Sequence, residues 1–456
     1  MFWTIFKRET VDHIMSLRFS AITILSVLLM VSSVLVFSST YEKAVQVYPR
    51  RVNELVNADG KVDLSTIPCQ GGVTVRRVPS PLAFCSGTGE RELPDRVVMA
   101  VHGLRAVQRT SEIGEILRGF ADVDWAFVVS VLLSFGAGLL TYKSISGERR
   151  DGTLTLILSN PIPRSAVLSG KYFAALFALS AAFLVAALVS LIVLQSLGTV
   201  QIQGDDWIKL GLFGLISVEY LSVFVLIGLL CSVFAPSPLI SAVAFLFVWT
   251  VLVFVIPNAG SILTGQIGNV KTPLQMSEIA RAIPDKLSLT PGMDDDEVAS
   301  IKLRRELARE QLLIEYLQSL IRQVHLGQYL TRISPTSTFS YAAERIIGGG
   351  TFRLMHFVKN AAIFREGFLR AVIEADKEDP QSQHRYVPRW CGNNPFSHRV
   401  VDLGPAKEFR DALPSSGDGL AAALWDVVLL ILFNILAFPV AFWRFARQDV
   451  APTPGV

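Results

Sequence analysis

An all-α integral membrane protein is the fold class this chain predicts: six transmembrane helices, an interfacial N-terminal helix, and two extracytoplasmic domains, the second largely helical. Three observations predict it. Only 18% of the 456 residues are charged and 51% are hydrophobic, whereas a soluble chain carries about 25% charged residues. The mean hydropathy of +0.44 is not spread evenly but gathered into six apolar runs. Each run is long enough to cross a bilayer, which takes roughly 20 residues.

The runs cover 19–37, 123–142, 172–197, 208–234, 239–256 and 421–442. Lipid cannot satisfy exposed backbone groups, so each is expected to be a helix. Trp125, Tyr142, Trp207, Trp425 and Trp443 fall at run ends, where amphipathic rings favour the membrane interface. The first run is too long for a signal-peptide core and shows no small-x-small cleavage site, so it reads as a retained span. Residues 1–18 precede it as an amphipathic segment, with Phe2, Trp3, Ile5 and Phe6 interleaved with Lys7, Arg8 and Glu9. That pattern is expected to lie in the interface plane.

Basic residues set the orientation. Lys7, Arg8, Arg18, Lys143, Arg149, Arg150, Arg164, Lys171, Arg444 and Arg447 all fall on one side if the spans alternate. That side is the expected cytoplasm, with both termini and the tail 443–456 in it. The net charge of +3, from scattered residues, gives no nucleic-acid signature.

The segments 38–122 and 257–420 are too long for connectors and are expected to be extracytoplasmic domains. In the first, Val73–Val75 and Val97–Val101 read as short strands. In the second, 294–330 reads as a helix whose Leu313, Leu317, Leu320 and Val324 form a bundle seam. Helices over 339–347 and 352–375, separated by Gly348-Gly349-Gly350, are expected to pack on that seam. Cys69 and Cys85 share the first segment and are the preferred disulfide pair. Cys391 is left over or pairs with one of these two, and Cys231 lies inside a span.

Chemistry-bearing motifs of soluble enzymes are absent from the sequence. There is no phosphate loop, zinc-protease helix or nucleophile elbow, so no catalytic, cofactor or metal residue is expected. His384, Cys391 and His398 are spaced by seven but read as ordinary loop residues. Glu219 lies near the middle of the fourth span, where a carboxylate is costly and must face protein, water or a partner. An interhelical role, a dimer interface and a translocation path all remain open for it. Asn434 in the sixth span reads as interhelical glue.

The most patterned stretch is the loop 143–171, which joins the second and third spans. Its sequence from Gly147 is GERRDGTLTLILSNPIPRSAVLSGK. An acid, a Gly-Thr-Leu turn, a short aliphatic helix, a Pro-x-Pro-Arg break and a Gly-Lys make it more than a connector. It suits a docking element for something in the cytoplasm. Gly152 permits a tight entry, Thr153 can cap the helix, and Pro161 stops it. Leu154, Leu156, Ile157 and Leu158 offer an apolar face. Glu148, Arg149 and Arg164 can form charge-assisted bonds across a contact.

On these residues the loop resembles the cytoplasmic loop of type-2 ABC transporter permeases, in the branch of copper-enzyme-maturation and gliding-motility permeases. The resemblance rests on Glu148, Gly152, Thr153, Leu154, Leu158, Ser159, Pro161, Arg164, Gly170 and Lys171. A second acid common in relatives is replaced here by Arg150 beside Asp151. Ser334-Pro335-Thr336-Ser337-x-Phe339-x-Tyr341-Ala342 is also similar to a motif in the last large loop of some of these permeases. The resemblance implies a permease subunit in a bacterial inner membrane, paired with a second, identical or different permease. It implies a coupling helix seated on a separate ATP-binding subunit that holds ATP and Mg. The expected output is substrate export or mechanical signalling to extracytoplasmic partners. The competing expectations are a membrane-anchored sensor or scaffold and, more remotely, a proton-driven transporter using Glu219.

Overall fold

In the computed structural model of the chain, the apolar runs become helices, and most helices outrun them. The structure describes residues 2–52, 61–64, 73–87, 93–100, 103–108, 123–159, 162–260, 273–286, 290, 292–384, 397–404 and 409–447. About 78% of it is helical. Among the described residues, six helices are long and apolar enough to cross a membrane. Span 1 is Leu17–Val52, span 3 Arg164–Leu197, span 4 Gly204–Phe234, span 5 Pro238–Gly260 and span 6 Ser416–Ala446. Span 2 begins at Trp125 and runs helically to Thr141. A separate amphipathic helix, Phe2–Ile14, precedes span 1.

The ends are set by local chemistry. Span 4 opens with a capping box between Gln203 and Asp206, and span 6 with one between Ser415 and Asp418. Such boxes satisfy the orphan N–H groups of a first turn. Span 5 starts with Pro238 behind a Ser237 cap, the first-turn position where proline fits. Pro439 lies within span 6 without ending it.

Spans 2 and 4 form the centre. Gly138 sits against Phe245 of span 5, and Gly228 against Thr141 of span 2, so closely that neither has room for a Cβ. Small residues bring membrane helices together because packing, not hydrophobicity, holds them there. Spans 2 and 5 each contain a π-helical stretch, Val128–Leu133 and Val251–Val255.

The two long segments do not fold apart from one another. Val73–Arg76 and Arg96–Ala100 are strands, as their sequence suggests. We number the strands β1 (Val62–Asp63), β2 (Val73–Arg76), β3 (Arg96–Ala100), β4 (Gly103–Gln108) and β5 (Val400–Val401). β2, β3 and β4 make an antiparallel sheet in that order, while β1 of the first segment pairs with β5 of the second. A shared core joins Val62, Val75 and Val97 to Phe357, Ala361, Phe368 and Val372 of a helix at Gly350–Lys377. Asp411 braces this junction, accepting from Arg353 and from the backbone N–H of Val78.

Two expectations for the second segment are corrected. The helix Asp295–Thr331 is present, but its seam is not sealed. Leu313 packs on the shared core, whereas Val324 is 41% exposed. The helix Pro335–Ile347 does not join a bundle outside the spans. Phe339, Ala342, Ala343, Ile346 and Ile347 are buried in the core of the spans themselves. Their spacing makes one small apolar face, and the alanines let it slot between spans 4 and 6.

Candidate functional site: the loop between spans 2 and 3

The loop folds into two short helices, Ser146–Arg150 and Thr153–Leu158. Between them Gly152 takes φ 74°, the left-handed region that glycine enters without steric cost. Thr153 does not cap the second helix as its position suggests. Gly152 is the cap residue, and the Thr153 hydroxyl donates back to the Glu148 carbonyl at 3.3 Å.

A buried cation holds the loop. Lys171, at the start of span 3, is 3% exposed. Its Nζ donates to Glu148 Oε1 at 2.7 Å and to Glu9 Oε1 of the N-terminal helix at 2.6 Å. Desolvating an ammonium costs several kcal/mol unless it is paired, and two carboxylates supply that pairing. Gly170, one residue earlier, lets the N-terminal helix come close, since a Cβ there would stand 2.8 Å from Ile5 Cγ2. One knot therefore ties together the loop, span 3 and the N-terminal helix.

The sequence aims Glu148, Arg149 and Arg164 at a partner, and the structure turns all three inward. Glu148 meets Lys171. Arg149 donates to the Ala235 carbonyl in the turn between spans 4 and 5. Arg164 donates to the carbonyls of Phe445 at 3.0 Å and Ala446 at 2.8 Å. There it satisfies the last turn of span 6, whose carbonyls have no helical partners. Ser232 of span 4 accepts from the N–H groups of Ile145 and Ser146, both at 3.0 Å. These bonds link the loop to spans 3, 4 and 6 and to the turn before span 5.

The apolar face divides in the same way. Leu154 is buried in the main core, Ile157 and Leu158 are half-buried, and Leu156 is 68% exposed. Around Leu156 the exposed side chains are Arg150, Asp151, Thr153, Thr155 and Ser159. Pro161 lies outside the described residues.

The intramembrane polar pair is brought together. Asn434 Nδ2 donates to Glu219 Oε1 at 2.8 Å, and its Oδ1 accepts from Ser222 at 2.6 Å. Ser222 in turn shares a hydrogen bond with Tyr172 of span 3. Cys85 is a free thiol, fully buried beside span 2; its expected partner Cys69 lies outside the described residues, as does Cys391. His384 stands with Nδ1 2.9 Å from Asp376 Oδ2.

A second charged knot escaped the sequence reading. Asp426 of span 6 is fully buried. It accepts from Arg332 Nε at 2.6 Å and from Arg345. An acid inside the apolar run 421–442 was the available signal, as strong as that of Glu219. Its partners, either side of the Ser334-Pro335 motif, cannot be seen from local spacing.

No curated protein matches the chain. Residues 3–450 match the family of ABC-2 family transporter proteins. That match takes in every span, the knotted loop and both long segments. The chain is a multi-pass membrane protein and a permease of an ABC transporter, and it belongs to the ABC-2 transporter family.

Proposed function

We propose that this permease is driven by a separate ATP-binding subunit that seats on the helix Thr153–Leu158. One observation carries the reading. The Lys171 knot makes the loop a rigid extension of span 3 and the N-terminal helix, yet leaves Leu156 outside as an apolar handle. A buried bond network transmits force, and an exposed apolar side chain on a short helix fits a partner groove. Glu148 then acts from within the chain, as a brace, rather than by touching the partner.

The end carrying both termini is the cytoplasmic one, in a bacterial inner membrane, and the two long segments lie outside. ATP and Mg bind the partner. A second permease, identical or different, completes the transport unit, and the loop motif suits the copper-enzyme-maturation and gliding-motility branch. Mechanical output to an extracytoplasmic partner is favoured by the shared core of the long segments, which bare substrate conduction would not need.

Two measurements test the reading together. The detergent-extracted chain should bring down one ATP-binding protein in stoichiometric amount. In intact cells a membrane-impermeant maleimide should label Lys302→Cys, while Arg150→Cys should react only after the membrane is opened. The reverse labelling pattern would overturn the orientation, and a chain that purifies alone would overturn the coupling.

A further inference from the structure

The helix Pro335–Ile347 enters the bundle N-terminus first. Its first turn reaches well inside spans 4 and 5: the Thr336 hydroxyl shares a 3.0 Å hydrogen bond with Tyr220 of span 4, and the Ser334 hydroxyl donates to the Leu252 carbonyl of span 5. Its other end lies at the beginning of span 6. There Gly419 is so close to the carbonyls of Arg345 and Ile346 that a side chain would collide with them.

Spans 2 and 5 are π-helical where they face this wedge. A π turn disturbs the regular ladder of backbone bonds, and such turns concentrate at functional sites. The carbonyls in these stretches serve the wedge region. Ser130 accepts from Tyr220 at 2.8 Å, and Leu252 accepts from Ser334. Trp249 of span 5 donates to Ser134 of span 2 at 2.8 Å, stitching the two π-containing spans together. A junction that only had to be filled would need neither π turn. Ser337, on the same first turn of the wedge, is buried with no hydrogen-bond partner for its Oγ among the described residues.

The wedge also has a latch and a hinge. Arg332 and Arg345, near its two ends, both hold Asp426 of span 6. Gly348 at φ 78° and Gly350 at φ 60° then pass the chain into the helix Gly350–Lys377. That helix supplies Phe357, Ala361, Phe368 and Val372 to the core shared by the long segments.

We propose that the helix Pro335–Ile347 is the transmission element of this permease. In this role it converts displacement of spans 2 and 5 against spans 4 and 6 into movement of the outer-side domain through the glycine hinge. This rests on the proposed function, because an ATP-binding subunit must supply the displacement. Span 2 leads directly into the loop on which that subunit seats, so the path from loop to wedge lies along one helix.

The test uses the full chain with its ATP-binding subunit in proteoliposomes. A cysteine at Met355→Cys, on the exposed side of the helix beyond the hinge, is labelled with a maleimide before and after trapping with ATP and vanadate. The parent chain serves as the background control. The labelling rate should change several-fold on trapping. Inserting two glycines after Gly349 should abolish that change and leave ATP hydrolysis intact. Tyr220→Phe, which keeps the ring and removes its hydrogen bonds, should reduce the change. A response that survives both alterations, or no response in a complex that hydrolyses ATP, would overturn the proposal. Failure of the ATP-binding subunit to assemble would instead overturn the proposed function, and this proposal with it.

Discussion

The two ends of the bundle each carry a buried charged triad, built with opposite signs. At the end with the termini, one lysine lies between two acids, Glu9 and Glu148. At the other end, one acid lies between two arginines, Arg332 and Arg345. The first triad is partly wet, with its acids 17% and 22% exposed. The second is drier, with Asp426 fully buried and the arginines 9% and 13% exposed. A wet triad can lose a member and be rescued by water. A dry one has little water to turn to: without Asp426, Arg345 keeps only the neutral acceptors Gln328 Oε1 and the Ala422 carbonyl, and a buried charge stripped of its counter-ion is costly. The contrast also matches what each triad joins. The first ties a loop to neighbouring helices, while the second anchors a helix that sits inside the span core.

The sharpest way to break the comparison is at the dry end. Asp426→Ala should destabilise the protein by about 3–5 kcal/mol, the range for breaking a buried ion pair. A large drop in the detergent melting midpoint would show it. Asp426→Asn keeps an acceptor and should fall between the variant and the parent. An Asp426→Ala chain that melts like the parent would remove the latch from the account.

At the wet end, Lys171→Met leaves two carboxylates facing one another and should cost about 2 kcal/mol, less than a dry pair because water can reach both acids. Adding Glu9→Gln and Glu148→Gln should restore most of the lost melting temperature. Rescue by the triple variant sharpens the comparison, because it isolates the charge from the packing. Equal losses at both ends would show that exposure does not decide the matter.

Gly152→Ala is the smallest of the stability effects. An L side chain in the left-handed region costs about 1–2 kcal/mol, and the Gly152 site has open space around its would-be Cβ. The melting midpoint should therefore drop modestly and the chain should still insert.

Legibility followed distance along the chain. The spans were readable because apolar runs are contiguous, and the loop was readable because its acid, glycine, prolines and lysine sit within one short stretch. The strands β2 and β3 were visible as short β-branched runs. What spacing could not show was which way a side chain turns. Glu148, Arg149 and Arg164 look available in sequence, but Lys171, Ala235 and the end of span 6 take them up. The inserted helix was misplaced because its apolar face fits a groove made by spans distant in sequence. Asp426 was passed over because its two arginines lie in a different segment.

The central claim is that the knotted loop offers one exposed handle, Leu156, to an ATP-binding subunit. The most direct measurement compares how much of that subunit co-purifies with the parent chain, with Leu156→Asp and with Arg150→Ala, at equal amounts of inserted permease. The account predicts stoichiometric recovery with the parent, near-complete loss with Leu156→Asp, and little change with Arg150→Ala, whose exposed side chain contributes little. Full recovery with Leu156→Asp would contradict it.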